Sequence, residues 1–260
     1  AGEATLRTLP EYYAKILQRK FNAWLKKQYR SDEKLRSTWA EGVQPPGANL
    51  LKNGNFQMRE VGGAVPLHWS VEQHQGCKAW CSRQRLESRR ALKIEIAEAD
   101  DTEWHLQLNQ GGIAVKKGQY YTVTLESAAD KPRTITCTVG QAHSPWGNLG
   151  LSQRVELAKK RTTFRYGFVA KADDDNARVS FAFGGSDIPI WLANVEFRPG
   201  GRVGLQEGES VEQGNVTLFA ETESPNRMLD RMKFLAETGS EGDEFNICFL
   251  LFIFEATPIS

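Results

Sequence analysis

The sequence predicts an all-β protein, an antiparallel β-sandwich of the jelly-roll type, with short flanking α-helices. Between Leu50 and Pro199, short segments of alternating apolar and polar residues are separated by Gly, Asp, Asn and Pro. Helical spacing occurs only before and after this region. Strands that follow one another without intervening helices pair antiparallel, so we expect roughly seven or eight strands in two packed sheets. The predicted strands are Ala91–Ile96, Trp104–Asn109, Tyr120–Ser127, Thr134–Gly140, Thr163–Ala170, Arg178–Gly184 and Ile190–Phe197.

The region before the strands, residues 1–45, is predicted to be a helical flank. Ser31 and Asp32 are suited to cap a second helix, which carries Leu35 and Trp39. The apolar residues of the first helix recur at helical spacing: Tyr13, Ile16, Leu17, Phe21, Trp24, Leu25 and Tyr29.

Residues 201–238 are predicted to be a linker and one further helix. Its apolar residues share one face: Met228, Leu229, Met232 and Leu235. Trp24 and Trp39 need burial that neither N-terminal helix provides alone. We therefore expect residues 1–42 to pack against the sandwich or against the helix around Arg227–Glu237.

The last segment, residues 239–260, changes abruptly in character. "GSEGDEFNICFLLFIFEATPIS" combines glycine and acids with a compact apolar run that has no amphipathic period. The run is too short to span a bilayer. We interpret the segment as an artificial tail; if folded, it would have to pair as a strand or cover an apolar patch.

Composition excludes two classes of partner. The chain has 260 residues and a formal net charge of +1, and its basic runs, such as Lys26-Lys27, are short and balanced by acids. Such a chain has no broad electrostatic attraction for nucleic acid or an anionic membrane. We therefore expect neither as a partner.

The cysteines do not indicate a disulfide framework or a paired zinc site. They stand at positions 77, 81, 137 and 248. Cys77 and Cys81 either form a local disulfide in an oxidising compartment or are buried thiols, and Cys137 has the parity of a buried strand residue. "AGEATLRTLPEYY" lacks the apolar core of a signal peptide, so the compartment must be inferred from function.

One predicted strand has two distinct faces. In "WHLQLNQ", His105, Gln107 and Asn109 share one parity, whereas Leu106 and Leu108 share the other. Side chains alternate across a strand, so the leucines are expected in the core and the three polar groups on the opposite face. Trp104 shares the parity of Leu106 and is expected to be buried.

Five segments carry a family resemblance: "NLLKNGNF", "PLHW", the stretch from "WHLQLNQGG" to "TITCTVGQ", "FRYGFVAKADDDNARVSFAFGG" and "WLANVEFRPG". In order and spacing they resemble the β-sandwich carbohydrate-binding modules grouped around families 4 and 9, over residues 49–200. The resemblance implies that a strand glutamine and loop tryptophans contact glycan. These positions match Gln107 and, less directly, Trp146 and Trp69.

The chemistry of sugars extends this set of candidate residues. Sugars expose hydroxyls at their rims and C–H groups on their faces, so a binding site needs amides and aromatic platforms. The loop "GQAHSPWGN" offers both and follows a strand expected beside Gln107. The candidate carbohydrate-binding residues are Gln107, Trp146, His105, Asn109, Gln141, His143, Trp69, Trp80 and Trp191. Trp69 is alternatively a core residue, and Gln107 alternatively a solvated strand residue.

The flanks resemble an enzyme of a different class. "FNAWLKKQYRSDEKLRSTW" and "NRMLDRMKFLAET" are similar to helical segments of clan A glycoside hydrolases. This resemblance implies covalently linked hydrolase domains, with residues 1–45 and 201–238 as remnants of them. Glycoside hydrolysis needs two carboxyl groups that face each other across the sugar. The acids here are dispersed in turn-like runs such as "AEADD" and "DDD", so the sequence does not predict a catalytic pair.

A structural calcium ion is a further implication of the resemblance. Related sandwiches often hold calcium where the first strand meets the last, using oxygen ligands. The matching residues here are Asn53, Asn55, Gln57, Asn194 and Glu196, in which amides stand where acids would be better ligands. We therefore expect no required cofactor, with calcium as an optional structural ion.

These observations predict a noncatalytic module that binds a β-linked plant polysaccharide: a β-glucan such as cellulose, a mannan or a xylan. Its role would be to hold a linked hydrolase near its substrate, which implies a secreted or extracellular location. Two alternatives stay open. One is a glycoside hydrolase fragment with residual activity, and the other is a structural or protein-docking sandwich.

Overall fold

The computed structural model describes residue 6 and residues 9–240. Its described residues form two compact units. One is Pro45–Gly201, and the other combines the residues up to Gln44 with those from Arg202 onward. Nothing in the described helices is long and apolar enough to cross a bilayer.

The unit Pro45–Gly201 is the predicted antiparallel β-sandwich. Its strands are β1 (Ser70–Gln73), β2 (Lys78–Leu86), β3 (Arg89–Glu98), β4 (Leu106–Val115), β5 (Tyr120–Ala129), β6 (Arg133–Gln141), β7 (Asn148–Leu157), β8 (Thr162–Val169), β9 (Asp174–Ala182) and β10 (Ile190–Pro199). They form two five-stranded sheets with the orders β1-β4-β9-β6-β7 and β2-β3-β10-β5-β8, and every strand pair is antiparallel. The predicted fold class is therefore confirmed.

The core lies between the sheets and follows from the period of two along each strand. Leu108 on β4, Phe181 on β9 and Cys137 on β6 are paired in register and fully buried. Val123 and Phe197 contribute from the second sheet to the same apolar cluster. Side chains of the opposite parity in these strands are therefore left on the outer faces of the sheets.

Three strands differ from the sequence prediction, because β1, β2 and β7 were not expected. Strand β7 buries Leu149 and Leu151, but Gly150 lies between them at φ 137°. A Cβ there would stand 2.6 Å from the Phe168 ring and from the Val169 carbonyl oxygen, so this position requires glycine. The glycine obscures the alternation that would have indicated a strand.

Three cysteines are buried free thiols, namely Cys77, Cys81 and Cys137. Burial raises the pKa of both Cys81 and Cys137 to about 12. The buried-thiol interpretation is thus confirmed for these residues, and a local Cys77–Cys81 disulfide is not formed. Cys248 lies outside the described residues, as does the rest of the predicted tail from residue 241 onward.

The other unit contains three helices among its described residues: α1 (Glu11–Tyr29), α2 (Asp32–Trp39) and α3 (Pro225–Ser240). The Ser31 hydroxyl accepts a hydrogen bond from the Lys34 backbone N–H, which confirms the predicted cap. Helix α3 extends into the first residues of the segment predicted to be a tail. The apolar cluster of this unit includes Leu17, Phe21, Leu25, Leu35, Trp39, Val211, Val216, Leu218, Phe234 and Leu235.

Helix α3 buries a different face from the one its sequence predicts. Of the four apolar residues assigned to one face, only Leu235 is buried, whereas Met228, Leu229 and Met232 are about half exposed. The buried face instead carries Arg227, whose guanidinium makes two hydrogen bonds to the Glu209 carboxylate, at 2.6 and 2.8 Å. A buried charge is tolerated there because it is paired.

The packing of α1 and α2 against α3 gives a prediction about proteolysis. Phe21 is fully buried, and its ring lies 5.2 Å from that of Phe234. We expect limited trypsin digestion to spare α1 in the wild type and to cleave it rapidly in Phe21→Ala, because the cavity loosens the helix. Tyr12→Ala is the control, since Tyr12 is 70% exposed. Rapid cleavage of the wild-type helix would contradict the packing.

Candidate functional site

A polar face covers the outer side of the sheet β1-β4-β9-β6-β7. The register aligns Glu72, Gln107, Ala182 and Thr136 in one row across four strands. A second row consists of Ser70, Asn109, Ser180 and Thr138. These residues, together with Arg178 on β9, are called the polar face below. Their opposite-parity neighbours are the core residues of this sheet, so the polar face is a direct consequence of strand alternation.

Gln107 is held in a fixed orientation on this face. Its Nε2 donates to the Trp104 carbonyl oxygen at 2.8 Å, and its Oε1 accepts from the Ser180 hydroxyl at 2.8 Å. The side chain is buried. Each end of an amide can make a further hydrogen bond. Gln107 therefore presents a preorganised donor and acceptor rather than a freely solvated side chain.

Asn109 differs from every other buried amide on this face. Its Nδ2 and Oδ1 atoms are both buried, and neither has a hydrogen-bond partner among the described residues. A buried polar group without a partner costs about 1–3 kcal/mol, and native proteins contain few of them. The Asn109 amide is therefore the unsatisfied polar group of this face, and both of its ends are shielded from solvent.

The lack of partners for Asn109 predicts an unusual result in unfolding experiments. Asn109→Leu should leave the free energy of unfolding unchanged or raise it, because no protein hydrogen bond is lost. Gln110 is the matched control, since its amide bonds the Lys52 backbone N–H and C=O at 2.6 and 2.8 Å. We expect Gln110→Leu to cost about 1–2 kcal/mol in urea unfolding. An equal loss in Asn109→Leu would show that its amide is satisfied within the protein.

An exposed indole, that of Trp104, lies at the start of β4. Trp104 is 53% exposed, so the expectation that it is buried is wrong. The cause is local, because Trp104 belongs to a short 3-10 helix, Glu103–His105, and strand alternation begins only at Leu106. The centroid of its ring lies 4.2 Å from that of the buried His105 imidazole, and the two rings are nearly perpendicular. Trp104 is thus a site candidate that strand parity alone could not find.

A second exposed indole, that of Trp146, lies in the turn after β6. Trp146 is 60% exposed, and the Arg178 guanidinium lies 5.2 Å from its ring centroid. Arg178 also donates to Glu72 at 2.9 Å. Strands β4 and β6 are both antiparallel to β9, so the start of β4 and the end of β6 lie at opposite ends of the sheet. Trp104 and Trp146 therefore stand at opposite ends of the polar face.

The loop of Trp146 is tied to the sheet through Asp174. Gln141 donates to the Asp174 carboxylate at 3.0 Å, and His143 Nε2 lies 3.1 Å from the same oxygen. The Gln141 amide oxygen also accepts from the Gly147 N–H. A hydrogen bond to the Ser144 carbonyl, and then the Asp174 carboxylate, raises the pKa of His143. Gln141 and His143 thus position this loop, and their predicted contact with glycan stays a prediction.

Three tryptophans from the sequence prediction lie elsewhere. The prediction that Trp69 binds carbohydrate is wrong, because Trp69 is buried in the core. Its ring packs on Phe56 and Phe181, and its Nε1 donates to the Asn53 carbonyl. Trp80 and Trp191 lie on the outer face of the second sheet. Trp80 is exposed, whereas Trp191 is buried and donates to Asp130.

The burial of Trp191 also corrects its prediction as a carbohydrate-binding residue. Its parity places it with Ala91, Ala128 and Ala193, which pack around it on the second sheet. Neither Trp69 nor Trp191 is available as a platform for a sugar on the polar face. His105 is buried as well and pairs with Asp100, so its imidazole faces a carboxylate rather than open solvent.

The N-terminal residues proposed for calcium are occupied by other contacts. The Asn53 side-chain amide donates hydrogen bonds to the Met58 and Leu67 carbonyl oxygens. Its oxygen accepts a hydrogen bond from the Met58 backbone N–H. Asn55 Oδ1 accepts from the Gln57 backbone N–H. These amides therefore hold the loop closed on itself.

The two C-terminal calcium candidates face charged partners. Asn194 donates to Glu126 at 2.7 Å, and Glu196 is bound by both Nε and Nη2 of Arg198. A guanidinium beside the carboxylate opposes a second cation there. The five residues in this arrangement do not fit a calcium cage, and the calcium ion stays a prediction.

The described residues of this unit form an antiparallel β-sandwich whose one outer face is polar and carries exposed indoles at its ends. The model of the family described as "Carbohydrate binding domain", which groups families 4 and 9, matches residues 48–188, more than half of the chain. The chain therefore belongs to this family, and the resemblance of the sandwich to it is confirmed. Its function is accordingly carbohydrate binding.

Solved structures similar to this chain include a structure described as "CBM4 structure and function", with 26% identity and a TM-score of 0.48, covering 57% of this chain and 98% of the other. The N-terminal cellulose-binding domain of Cellulomonas fimi β-1,4-glucanase C has 18% identity and a TM-score of 0.44, covering 60% and 100%. A CBM22-1 xylan-binding domain from Paenibacillus barcinonensis Xyn10C has 11% identity and a TM-score of 0.43, covering 60% and 97%. No curated protein matches the chain.

Proposed function

We propose that the polar face binds a β-linked plant polysaccharide, a glucan, mannan or xylan, without cleaving it. The observation that carries this proposal is the buried, unpartnered amide of Asn109, on a face with an exposed indole at each end. Two neighbouring sugar hydroxyls, one accepting and one donating, would satisfy the two ends of such an amide. Because both ends are shielded in the unbound protein, binding requires a neighbouring side chain to move. Binding would then recover free energy that the unbound face lacks.

The tryptophans and the polar residues supply the complementary contacts. Trp104 and Trp146 offer indole faces to the C–H faces of sugar rings. Gln107, already held by Ser180, offers a donor and an acceptor for hydroxyls between the platforms. A ligand that reaches both tryptophans must extend along the strands of the sheet. This favours an oligosaccharide or polysaccharide over a single sugar.

The acid of the polar face, Glu72 on the edge strand β1, is held in ionic contacts. Glu72 accepts from Arg178 at one oxygen, while His74 lies 3.6 Å from the other. Glycoside hydrolysis needs a pair of carboxyl groups on either side of the scissile bond. With Glu72 held in an ion pair, we infer that the face retains sugars without hydrolysing them.

We further infer that the module keeps a linked glycoside hydrolase close to its substrate. The similarity of residues 1–45 and 201–238 to clan A hydrolase segments supports this role. Tethering raises the effective concentration of an enzyme near a polysaccharide without any new catalytic contact. Such a role implies a secreted or extracellular protein, and it requires no cofactor.

Affinity gel electrophoresis with soluble β-glucan, mannan and xylan tests the proposal. We expect at least one polysaccharide to retard the protein, with no new reducing ends after prolonged incubation. Release of reducing ends that the purified chain alone produces would support the hydrolase-fragment alternative. Unchanged mobility with every glycan would contradict the proposal and favour a structural or protein-docking sandwich.

A further inference from the structure

Three potential metal ligands meet beside Trp104: Cys77, Asp100 and His105. One ligand atom from each lies within 4.8 Å of the other two. They come from separate segments, since Cys77 lies between β1 and β2, Asp100 follows β3, and His105 ends the short 3-10 helix. Among the described residues, this is the group of cysteine, histidine and acidic side chains that is compact enough for an ion.

One backbone hydrogen bond joins the segments of Cys77 and His105, and two local hydrogen bonds fix the turns at Cys77 and Asp100. The Cys77 N–H donates to the His74 carbonyl at 2.9 Å, and the His74 N–H donates to the His105 carbonyl at 2.9 Å. The Asp100 carboxylate accepts from the Thr102 N–H at 2.9 Å through Oδ1. The three donor groups are therefore positioned by the fold, and little chain ordering is needed to bring them together.

The chemistry of the donors selects the class of ion. A thiolate, an imidazole and a carboxylate suit a borderline-soft divalent ion such as Zn²⁺, whereas calcium and magnesium prefer oxygen alone. With metal bonds of about 2.0–2.3 Å, tetrahedral ligand atoms lie roughly 3.3–3.8 Å apart. The three ligand atoms lie within 4.8 Å of one another, so small side-chain shifts would bring them to this spacing. Asp100 Oδ2 and His105 Nδ1, now 2.5 Å apart, would have to separate.

The surroundings allow that adjustment. The Asp100 side chain is 39% exposed, so its carboxylate can move outward, while His105 and Cys77 are buried. Burial, and next the Asp100 carboxylate, raises the pKa of the Cys77 thiol, so this group keeps its proton when no ion is present. Binding M²⁺ would form the M–Sγ bond, break the S–H bond and release that proton to solvent.

We propose that Cys77 Sγ, Asp100 Oδ2 and His105 Nδ1 form a binding site for a divalent transition-metal ion of the zinc class. The fourth position of a tetrahedral ion would be taken by water on the exposed side of Asp100. Because the Trp104 ring packs on His105, an ion bound to His105 would also restrict the position of the Trp104 indole. The site is separate from the five residues considered for calcium.

Metal titration of the full chain, first stripped of metal with a chelator, tests the site without any glycan. Co²⁺ is the probe, because a Co²⁺–thiolate bond gives a characteristic absorption band, and Zn²⁺ is then added as a competitor. We expect one Co²⁺ per chain, with the thiolate band, and its displacement by one equivalent of Zn²⁺. Absence of a stoichiometric thiolate band in the folded wild type would overturn the proposal.

Variants locate the ion. Cys77→Ser should abolish the thiolate band, and Asp100→Asn should weaken Co²⁺ binding at least about 10–100-fold, the loss typical even of an outer-shell partner. Cys81→Ser is the matched control, because Cys81 is a buried thiol outside the cluster. Asp100→Asn keeps the test decisive if Cys77→Ser fails to fold, since Asp100 is partly exposed. A thiolate band retained in Cys77→Ser, or affinity unchanged in Asp100→Asn, would contradict the site.

Discussion

Leu108→Ala is expected to lower the free energy of unfolding by about 2–5 kcal/mol. Leu108 is fully buried on β4, and in register it lies between Val71 on β1 and Phe181 on β9. Truncation removes apolar contacts and leaves a cavity between two packed sheets, which relaxes only in part. Urea unfolding followed by tryptophan fluorescence measures the loss.

Gln107→Ala is the control on the same strand, because Gln107 lies on the opposite face. We expect it to lose about 0.5–1.5 kcal/mol, the usual worth of a side-chain hydrogen bond. A loss in Leu108→Ala no larger than that of Gln107→Ala would contradict the assignment of the two faces of β4.

Trp146→Ala is expected to weaken binding of the preferred polysaccharide by more than about 2 kcal/mol, or roughly 30-fold. The indole is exposed and backed by Arg178, so it can stack on a sugar ring without rearrangement of the loop. Trp104→Ala should have a similar effect from the other end of the face. Isothermal titration calorimetry with the glycan that gives the strongest gel retardation measures both losses.

Trp80→Ala is the matched control for these two variants. Trp80 is 49% exposed, comparable to Trp104, but it lies on the outer face of the second sheet. Its removal should leave affinity unchanged. If Trp80→Ala weakened binding while Trp104→Ala and Trp146→Ala did not, the second sheet would be the binding face.

Sequence alone predicts the strands because burial has a period of two along them. The segments that became β5, β6 and β10 show this alternation clearly, and their predicted starts lie within a residue of those observed. The pattern fails where the backbone leaves the regular extended conformation. Gly150 hides β7 in this way, and the 3-10 helix at Glu103–His105 removes Trp104 from the alternation.

The candidate site was only partly predictable, because its composition depends on strand register. Gln107 and Asn109 follow from parity within one strand. Ser180 and Arg178 reach the same face only because β9 pairs with β4, and Glu72 only because β1 does. Cross-strand pairing between distant segments cannot be read from local periodicity. Trp69 shows the converse problem, since a tryptophan beside a turn is compatible with either surface or core.

We propose that the unpartnered Asn109 amide forms its hydrogen bonds with the bound glycan. Calorimetric titration of the preferred glycan into wild type and Asn109→Leu tests this, with unfolding measured on the same samples. We predict that affinity falls about tenfold, consistent with roughly 1.4 kcal/mol for a lost hydrogen-bonding group, while stability does not fall. Unchanged affinity in a folded Asn109→Leu protein would contradict the claim.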